Sequence, residues 1–394
     1  MKNDGLIVIG RLGYPSPRAA SNRVHLYCKA LKEVKGFPFV INLHSAFSKP
    51  QSFNYLGRYD GVPFYYSQQT TVYEKNLFTR NLKKIKGLVN TVVITRRLQK
   101  KHNLKVMFYS TSLIDEVILF IFFKFLKISI ITDCCEAPLF LIQNKKNVRF
   151  YETLLRLRLK MYDQIIVISD YLFQYYSAIF PKEKIFQIPI LVDMQRFKGF
   201  DQHTENETKI ITYIGFMGGN KDGLENLIES IALVNQKCRN SRLELIGSAS
   251  KEDLLRLKKK VEVLGLNSVV SFLGSKKADE IPYYLSKSDL LVLARPDNNQ
   301  AKAGFSTKLG EYLASGKPVV ITITGEISKY LKDNESAYLV EPDNVKKFAD
   351  KIMWALKDRN SVNVGLQGMN VANQHFNYQL YGKKISEIIQ DVRI

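Results

Sequence analysis

Short apolar runs recur along the first half of the chain at Leu6–Ile9, Phe39–Leu43, Val106–Tyr109, Ile128–Thr132 and Ile165–Ile168. Helix-length stretches lie between them, such as Ser21–Val34, Val148–Met161 and Tyr171–Ile179. Strands alternating with helices predict βαβ units around a parallel sheet. The alternation pauses near Pro189, and the polar, strand-poor stretch 195–208 reads as a linker. It then resumes with strand Lys209–Ile214, a helix to about Gln236, strand Leu243–Ile246 and helix Lys251–Leu264. Strand Val269–Leu273, helix Ile281–Leu285, strand Leu290–Leu293 and helix Thr307–Ala314 follow. Strands Pro318–Thr322 and Ala337–Val340 and helix Val345–Lys357 complete the pattern. The expected fold class is α/β, with two Rossmann-like doubly wound domains at 1–190 and 191–375. Residues 376–394 form a C-terminal helix available to pack back on the first. A chain of 394 residues suits two domains. Such domains place the carboxyl ends of their strands at a central cleft, with one ligand per domain.

Charge sharpens this division. The chain carries 58 Lys and Arg against 37 acids, a net +21. Residues 1–190 hold 29 bases and 12 acids, a net +17, leaving only +4 for the rest. The imbalance points to an anionic partner for the first half: a membrane surface, a phosphorylated substrate or nucleic acid. Residues 75–105 contain ten Lys or Arg and no acid, including Lys83, Lys84, Lys86, Arg96, Arg97, Lys100 and Lys101. A cluster of this kind gains about 1 kcal/mol per charge at an anionic bilayer. No nucleic-acid module accompanies it, so nucleic acid is not the expected partner.

The most membrane-like stretch, Val117–Ile131, is interrupted by Lys124 and Lys127 and reads as a helix between two strands. Whether one face of it lies on lipid stays open. Cys28, Cys134, Cys135 and Cys238 show no metal or disulfide spacing, the usage of a reduced intracellular protein. The N-terminal apolar run, which contains Asp4, is too short for a signal peptide's core and reads as a first buried strand. The five histidines show no metal spacing and read as structural or surface groups.

Two stretches carry candidate chemistry. In 212–228, a strand ends at Gly215, and Gly218, Gly219 and Lys221 precede a helix. Backbone N–H groups, the helix N-terminus and the lysine suit a diphosphate, although a tight turn needing glycine for its geometry fits the same residues. In 303–320, Ser306 or Thr307 can cap a helix that ends before Gly316, and Lys308 and Glu311 share one face. Glu311 suits the two hydroxyls of a ribose and Lys308 a phosphate; an exposed Lys308–Glu311 pair is the plainer alternative. Gly310 inside the helix costs about 1 kcal/mol against alanine, so it serves close packing or ligand approach. Gly310 to Lys317 is not a Walker loop, because Pro318 stands where Ser or Thr would hold magnesium. No Asp-x-Asp pair occurs, so no metal requirement or cofactor is expected.

The run YIG, NKDG and LIES, then LELIG, VVSFLG, SDLLVLARP and KLGEYLASGKPVV, resembles the GT-B glycosyltransferases of family 4, the group 1 type of bacterial polysaccharide enzymes. YPSPRAASNRVHLYCKAL and YDQIIVIS extend the resemblance into the first half. It implies a GT-B fold and a metal-independent, retaining hexosyltransferase acting in surface polysaccharide biosynthesis such as lipopolysaccharide or capsule. The donor is a nucleotide-sugar and the acceptor lipid-linked or a glycan. The enzyme would be cytoplasmic, peripheral on the inner face of the plasma membrane. By the same resemblance Glu311 binds the donor ribose, Lys221 and Lys308 face the diphosphate, and Gly13 and Tyr14 close over the donor. Two departures stand out: Ala303 replaces the first glutamate of the family's E-x7-E pair, and Phe216 replaces an arginine. On the acceptor side, Asp133 and Glu136 occupy a strand end where relatives carry histidine, and either can contact sugar or acceptor or orient a cation there. A solvated strand-end turn is the alternative. Arg18 and Arg23 are candidate phosphate contacts or solvated helix-start cations. A sugar-nucleotide epimerase of the same fold and a non-catalytic binding protein are the rival functions.

Overall fold

The computed structural model describes residues 3–16, 18–143, 146–200 and 208–390. The chain forms two compact units, one of residues 1–189 with 378–394 and one of 190–377. The first unit thus takes back the end of the chain.

In the first unit the strands are β1 (Asn3–Gly10), β2 (Phe37–Asn42), β3 (Leu56–Tyr59), β4 (Val62–Tyr66), β5 (His102–Tyr109), β6 (Ser129–Cys134), β7 (Gln164–Val167) and β8 (Ile185–Gln187). The helices are α1 (Ala19–Glu33), α2 (Leu77–Gln99), α3 (Leu113–Phe125), α4 (Leu139–Ile142), α5 (Val148–Leu159) and α6 (Asp170–Ser177). The sheet order is β3-β4-β2-β1-β5-β6-β7-β8, and only β3 runs antiparallel to its neighbour. β1 is central, and its Leu6–Ile9 run is fully buried, as a strand covered on both faces requires. The β3–β4 pair was not expected from the sequence. It turns at Asp60 and Gly61, both at positive φ, a geometry that suits a tight hairpin.

The second unit has β9 (Lys209–Ile214), β10 (Ser241–Ile246), β11 (Val270–Gly274), β12 (Leu290–Leu293), β13 (Val319–Thr322) and β14 (Tyr338–Val340). Its helices are α7 (Leu224–Lys237), α8 (Lys251–Val263), α9 (Ile281–Ser286), α10 (Asn299–Ala303), α11 (Thr307–Ala314), α12 (Ile327–Tyr330), α13 (Val345–Lys357) and α14 (Ser361–His375). All six strands are parallel, in the order β11-β10-β9-β12-β13-β14. The last helix, α15 (Gly382–Gln390), packs on α1 and β1 of the first unit. A Cβ on Gly382 would come 2.6 Å from the Ala30 carbonyl, so glycine permits the close approach.

One sequence expectation shifts and another holds. The chain enters the second unit at Ile190, before the expected linker, and residues 194–197 form a 3-10 turn inside that unit. Residues 201–207 of that linker lie outside the described residues. The apolar stretch after Leu113 is α3, between β5 and β6, and no helix among the described residues is long and apolar enough to cross a membrane.

Candidate active site

In a doubly wound sheet, ligands bind at the carboxyl ends of the strands where the strand order reverses. In the second unit that point lies between β9 and β12. Gly215 follows β9, and a Cβ there would sit 1.9 Å from Lys308 Cε and 2.7 Å from the Tyr213 hydroxyl. Glycine is what lets the lysine chain cross the end of the strand. Gly218 is packed under the Phe216 ring, and Gly219, at φ 59°, has open space around it. Gly223 caps α7 at φ 63°, where a Cβ would meet the Ala294 carbonyl at 1.9 Å. The glycines therefore serve both readings: Gly215, Gly218 and Gly223 make room for other groups, and Gly219 is exposed, its N–H donating to Asp253 Oδ1 at 3.2 Å.

At the centre sits Asp222, a buried carboxylate that no sequence argument selected. Its Oδ2 accepts from Lys308 Nζ at 2.6 Å and from the Tyr213 hydroxyl at 2.7 Å. Its Oδ1 lies 3.7 Å from Arg295 Nε. Burial raises the Asp222 pKa, but Lys308, Tyr213 and Arg295 outweigh it and hold the carboxyl below its ordinary range. Two cations around one acid leave this point of the sheet net positive, and Lys308 keeps 21% of its side chain exposed. Lys221 is exposed on the same turn.

Lys308 and Glu311 do not pair with each other. Glu311 Oε1 accepts from Arg196 Nη1 at 2.6 Å, and Arg196 Nη2 donates to the Ala278 carbonyl at 2.5 Å. Arg196 lies in the stretch expected to be linker. Ser306 stands at the N-cap of α11 with no side-chain cap bond, so its hydroxyl is not the cap. Gly310 packs against Val192, whose Cβ would be 3.3 Å from an added methyl, which makes it a packing glycine.

In the first unit the order reverses between β1 and β5. Gly13, at φ 64°, follows β1. The Tyr14 side chain is fully buried, its hydroxyl 2.8 Å from His25 Nδ1, and burial pushes its pKa up. This corrects the expectation for Tyr14: its ring is core, not a cover over a ligand. Arg23 is corrected likewise. It donates through Nε to Asp133 Oδ2 at 2.8 Å, through Nη1 to the Pro189 carbonyl at 2.7 Å and through Nη2 to the Ile188 carbonyl at 2.8 Å. Its side chain is 2% exposed and that of Asp133 0%. Tyr27 donates to the same carboxylate oxygen at 2.9 Å. Asp133 is thus a sealed partner of Arg23 rather than a group open to substrate. Breaking such a pair costs about 3–5 kcal/mol.

Arg18 is exposed at the start of α1, with its guanidinium 5.7 Å from the Phe47 ring centre, and Glu136 is exposed beyond β6. Desolvation pushes the half-buried Cys134 and Cys135 thiols up to about 12 and about 11, so they are neutral at ordinary pH and poor nucleophiles. Sequence reading also missed a polar cluster beyond β1, β2 and β5. Asp115 Oδ2 lies 2.9 Å from Arg11 Nη2, 2.9 Å from His44 Nε2 and 2.6 Å from the Ser112 hydroxyl. Polar residues directly after predicted strands, Arg11 and His44, were the available signal.

Lys83, Lys84, Lys86, Arg96 and Arg97 lie on α2, with Lys100 and Lys101 just beyond it. Lys83 pairs with Glu74 at 2.7 Å. Among the described residues no group of three or more His, Cys, Asp or Glu is placed to hold a metal ion.

Residues 195–364 match the family model described as glycosyl transferases group 1. The second unit is a group 1 glycosyl transferase domain. The match takes in Arg196, Asp222, Arg295, Lys308 and Glu311. A stretch of 142 residues is 28% identical to mannosylfructose-phosphate synthase of Agrobacterium fabrum, covering 34% of this chain and 30% of that enzyme's length. Sucrose-phosphate synthase of Thermosynechococcus elongatus superposes with a TM-score of 0.76 at 15% identity, over 99% of each chain. HepE of Anabaena, solved with UDP and glucose, superposes with a TM-score of 0.72 at 15% identity, over 99% of this chain and 100% of that one. At such identities the likeness carries the fold: beyond its group 1 domain, the whole chain has the GT-B glycosyltransferase fold.

Proposed function

We propose that this protein transfers a hexose-type sugar from a nucleotide-sugar to a hydroxyl of a lipid-linked or glycan acceptor. The observation that carries the reading is the Asp222–Lys308–Arg295 cluster at the switch point of a group 1 domain. A donor diphosphate fits against the exposed turn at Gly219, displacing Asp253 Oδ1 from the Gly219 N–H, with Lys308 exchanging its carboxylate for phosphate oxygen. Glu311, one turn along α11, takes the ribose hydroxyls, and Arg196 holds that carboxylate in place. HepE was solved with UDP and glucose, and with UDP-glucose, which makes UDP-sugars the first donors to test.

In the reaction the bond from the anomeric carbon to the diphosphate oxygen breaks and a bond to the acceptor oxygen forms. The acceptor proton passes to the departing phosphate. Lys308 and Arg295 stabilise the charge that develops there, without a metal. We assign retention of configuration, and a role in surface polysaccharide synthesis at the cytoplasmic face of the plasma membrane, to the same reading. Ala303 and Phe216 replace two polar side chains of the family pattern, so sugar selection rests on other groups.

A binding and turnover screen against UDP-, GDP- and dTDP-sugars tests it. Glu311→Ala should weaken donor binding about tenfold, the worth of hydrogen bonds to a charged group. Unchanged affinity and turnover in that variant would remove Glu311 from the site. A product formed without acceptor would make the enzyme an epimerase.

A further inference from the structure

Helix α2 is turned inside out. Gly87, Thr91 and Thr95, four apart, form its buried face. At 100° per residue, Phe78, Leu82, Ile85, Val89 and Val93 fall on the opposite arc, and all five are exposed, Phe78 to 72%. Helix α3 repeats the inversion. It buries Leu119 and Phe123 in the core beside Asp115 and Glu116, so its inversion is partial, yet it exposes Ile114, Val117, Ile121 and Phe125, the last to 83%. Both acids are paired, Glu116 through a two-pronged bond from Arg158 of α5 at 2.8 and 2.6 Å. Helix α5 buries only Leu159 and exposes Phe150, Leu154 and Leu157.

These faces belong to one surface. The connections from β4 to β5, β5 to β6 and β6 to β7 all advance in the same direction across the sheet. Right-handed crossovers then put α2, α3 and α5 on one side, and α1, whose connection runs the other way, on the opposite side. Helix α2 packs against α3, and the Glu116–Arg158 pair ties α3 to α5. A dozen exposed apolar side chains on adjoining helices are more than solubility alone tolerates.

Charge decides the occupant. Every ionised group on α2 is a cation, and Lys100, Lys101 and Lys124 continue the positive rim. A second copy of this face would set those cations against each other. An anionic bilayer would neutralise them and accept the apolar side chains between headgroups and acyl chains. With its exposed apolar arc and only cations along its length, α2 has the make-up of a helix that lies in the interface.

We infer that the α2–α3–α5 face of the first unit inserts into the interfacial layer of an anionic bilayer. This rests on and extends the membrane part of the proposed function, adding apolar insertion to the attraction of the basic stretch 75–105, and is independent of the donor site.

Vesicle flotation of the full chain tests it, with phosphatidylcholine alone or with about a third phosphatidylglycerol, at low and high salt. The chain should float with the anionic vesicles, and a fraction should stay bound at high salt, because buried apolar area is not screened. The exposed-site variant Phe78→Ser/Ile85→Ser/Ile121→Ser/Phe125→Ser should lose at least about tenfold in vesicle affinity, with nucleotide-sugar binding unchanged. Arg96→Gln/Arg97→Gln/Lys100→Gln should lose the preference for anionic lipid. Wild-type binding by the serine variant, or complete release of the parent chain at high salt, would overturn insertion. So would a dimer that the serine substitutions dissociate, with no vesicle binding. Vesicle binding without any nucleotide-sugar binding would instead overturn the donor reading.

Discussion

Arg23 in the first unit and Lys308 in the second each pair with an aspartate, Asp133 near the end of β6 and Asp222 beyond β9, in different ways. Arg23 spends its guanidinium on Asp133 and two carbonyls and is sealed from water. Lys308 has one carboxylate partner and an open flank, with Arg295 close by as a second cation. The first arrangement is a clamp that joins α1 to β6 and to the chain leaving β8. The second can receive an anion on the open flank of Lys308 while Asp222 keeps the Tyr213 hydroxyl and the nearby Arg295. Sequence treats the two as equivalent basic candidates. Burial and the count of satisfied donors separate them.

Substitutions should break the comparison in opposite readouts. Arg23→Ala should have the largest effect, a loss of about 3–5 kcal/mol in stability by denaturant unfolding, since it leaves Asp133 buried and unpaired. A variant that folds normally but binds phosphate poorly would reverse the assignment. Lys308→Ala should lower turnover by about 10²–10³, the worth of one group stabilising a developing oxyanion, measured as kcat with the donor found in the screen. An equal effect on stability alone would make it a clamp as well.

Acid should sharpen the contrast by a smaller amount. Asp222 and Asp115 both have carboxyl groups held below their ordinary range. Burial raises each, and neighbouring donors more than offset it: chiefly Lys308 for Asp222, and His44, Ser112 and Arg11 for Asp115. A depressed folded-state pKa contributes stability that is complete above the unfolded value, about 4, and lost as pH falls through the folded value. Unfolding curves should therefore weaken progressively below about pH 4, and Asp222→Asn should remove part of that dependence. The smallest effect belongs to Ser306→Ala, expected within about 0.5 kcal/mol because its hydroxyl makes no cap bond.

The second unit's elements were the more legible. Strands Lys209–Ile214 and Leu290–Leu293 and helices Thr307–Ala314 and Val345–Lys357 fall at the bounds that periodicity and capping suggested. Their signals are local. The β3–β4 hairpin was missed although Asp60–Gly61 is a hairpin dipeptide, because Pro63 and the shortness of both strands masked it. Helix α14 was missed because Gly365 and Gly368 lower its helical signal. Those glycines bring it against the Gly316 and Ser336 carbonyls, where a Cβ would lie 2.3 and 2.7 Å away. Around the candidate site, spacing singled out Lys308, Glu311 and the glycine turn as candidates, whereas it did not single out their partners Asp222, Arg295 and Arg196.

The sequence by itself determined the alternation of elements, the doubly wound class, the basic first half and the glycines that open the turn after β9. Each of these follows from residues a few positions apart. Which charge meets which was decided only in three dimensions. Asp133 finds Arg23 from 110 positions away, Lys308 finds Asp222 from 86 and Glu311 finds Arg196 from 115. Pairing at such separations is set by strand order and helix packing, and so is the outward turn of α2, whose apolar side a sequence pattern alone assigns to the core.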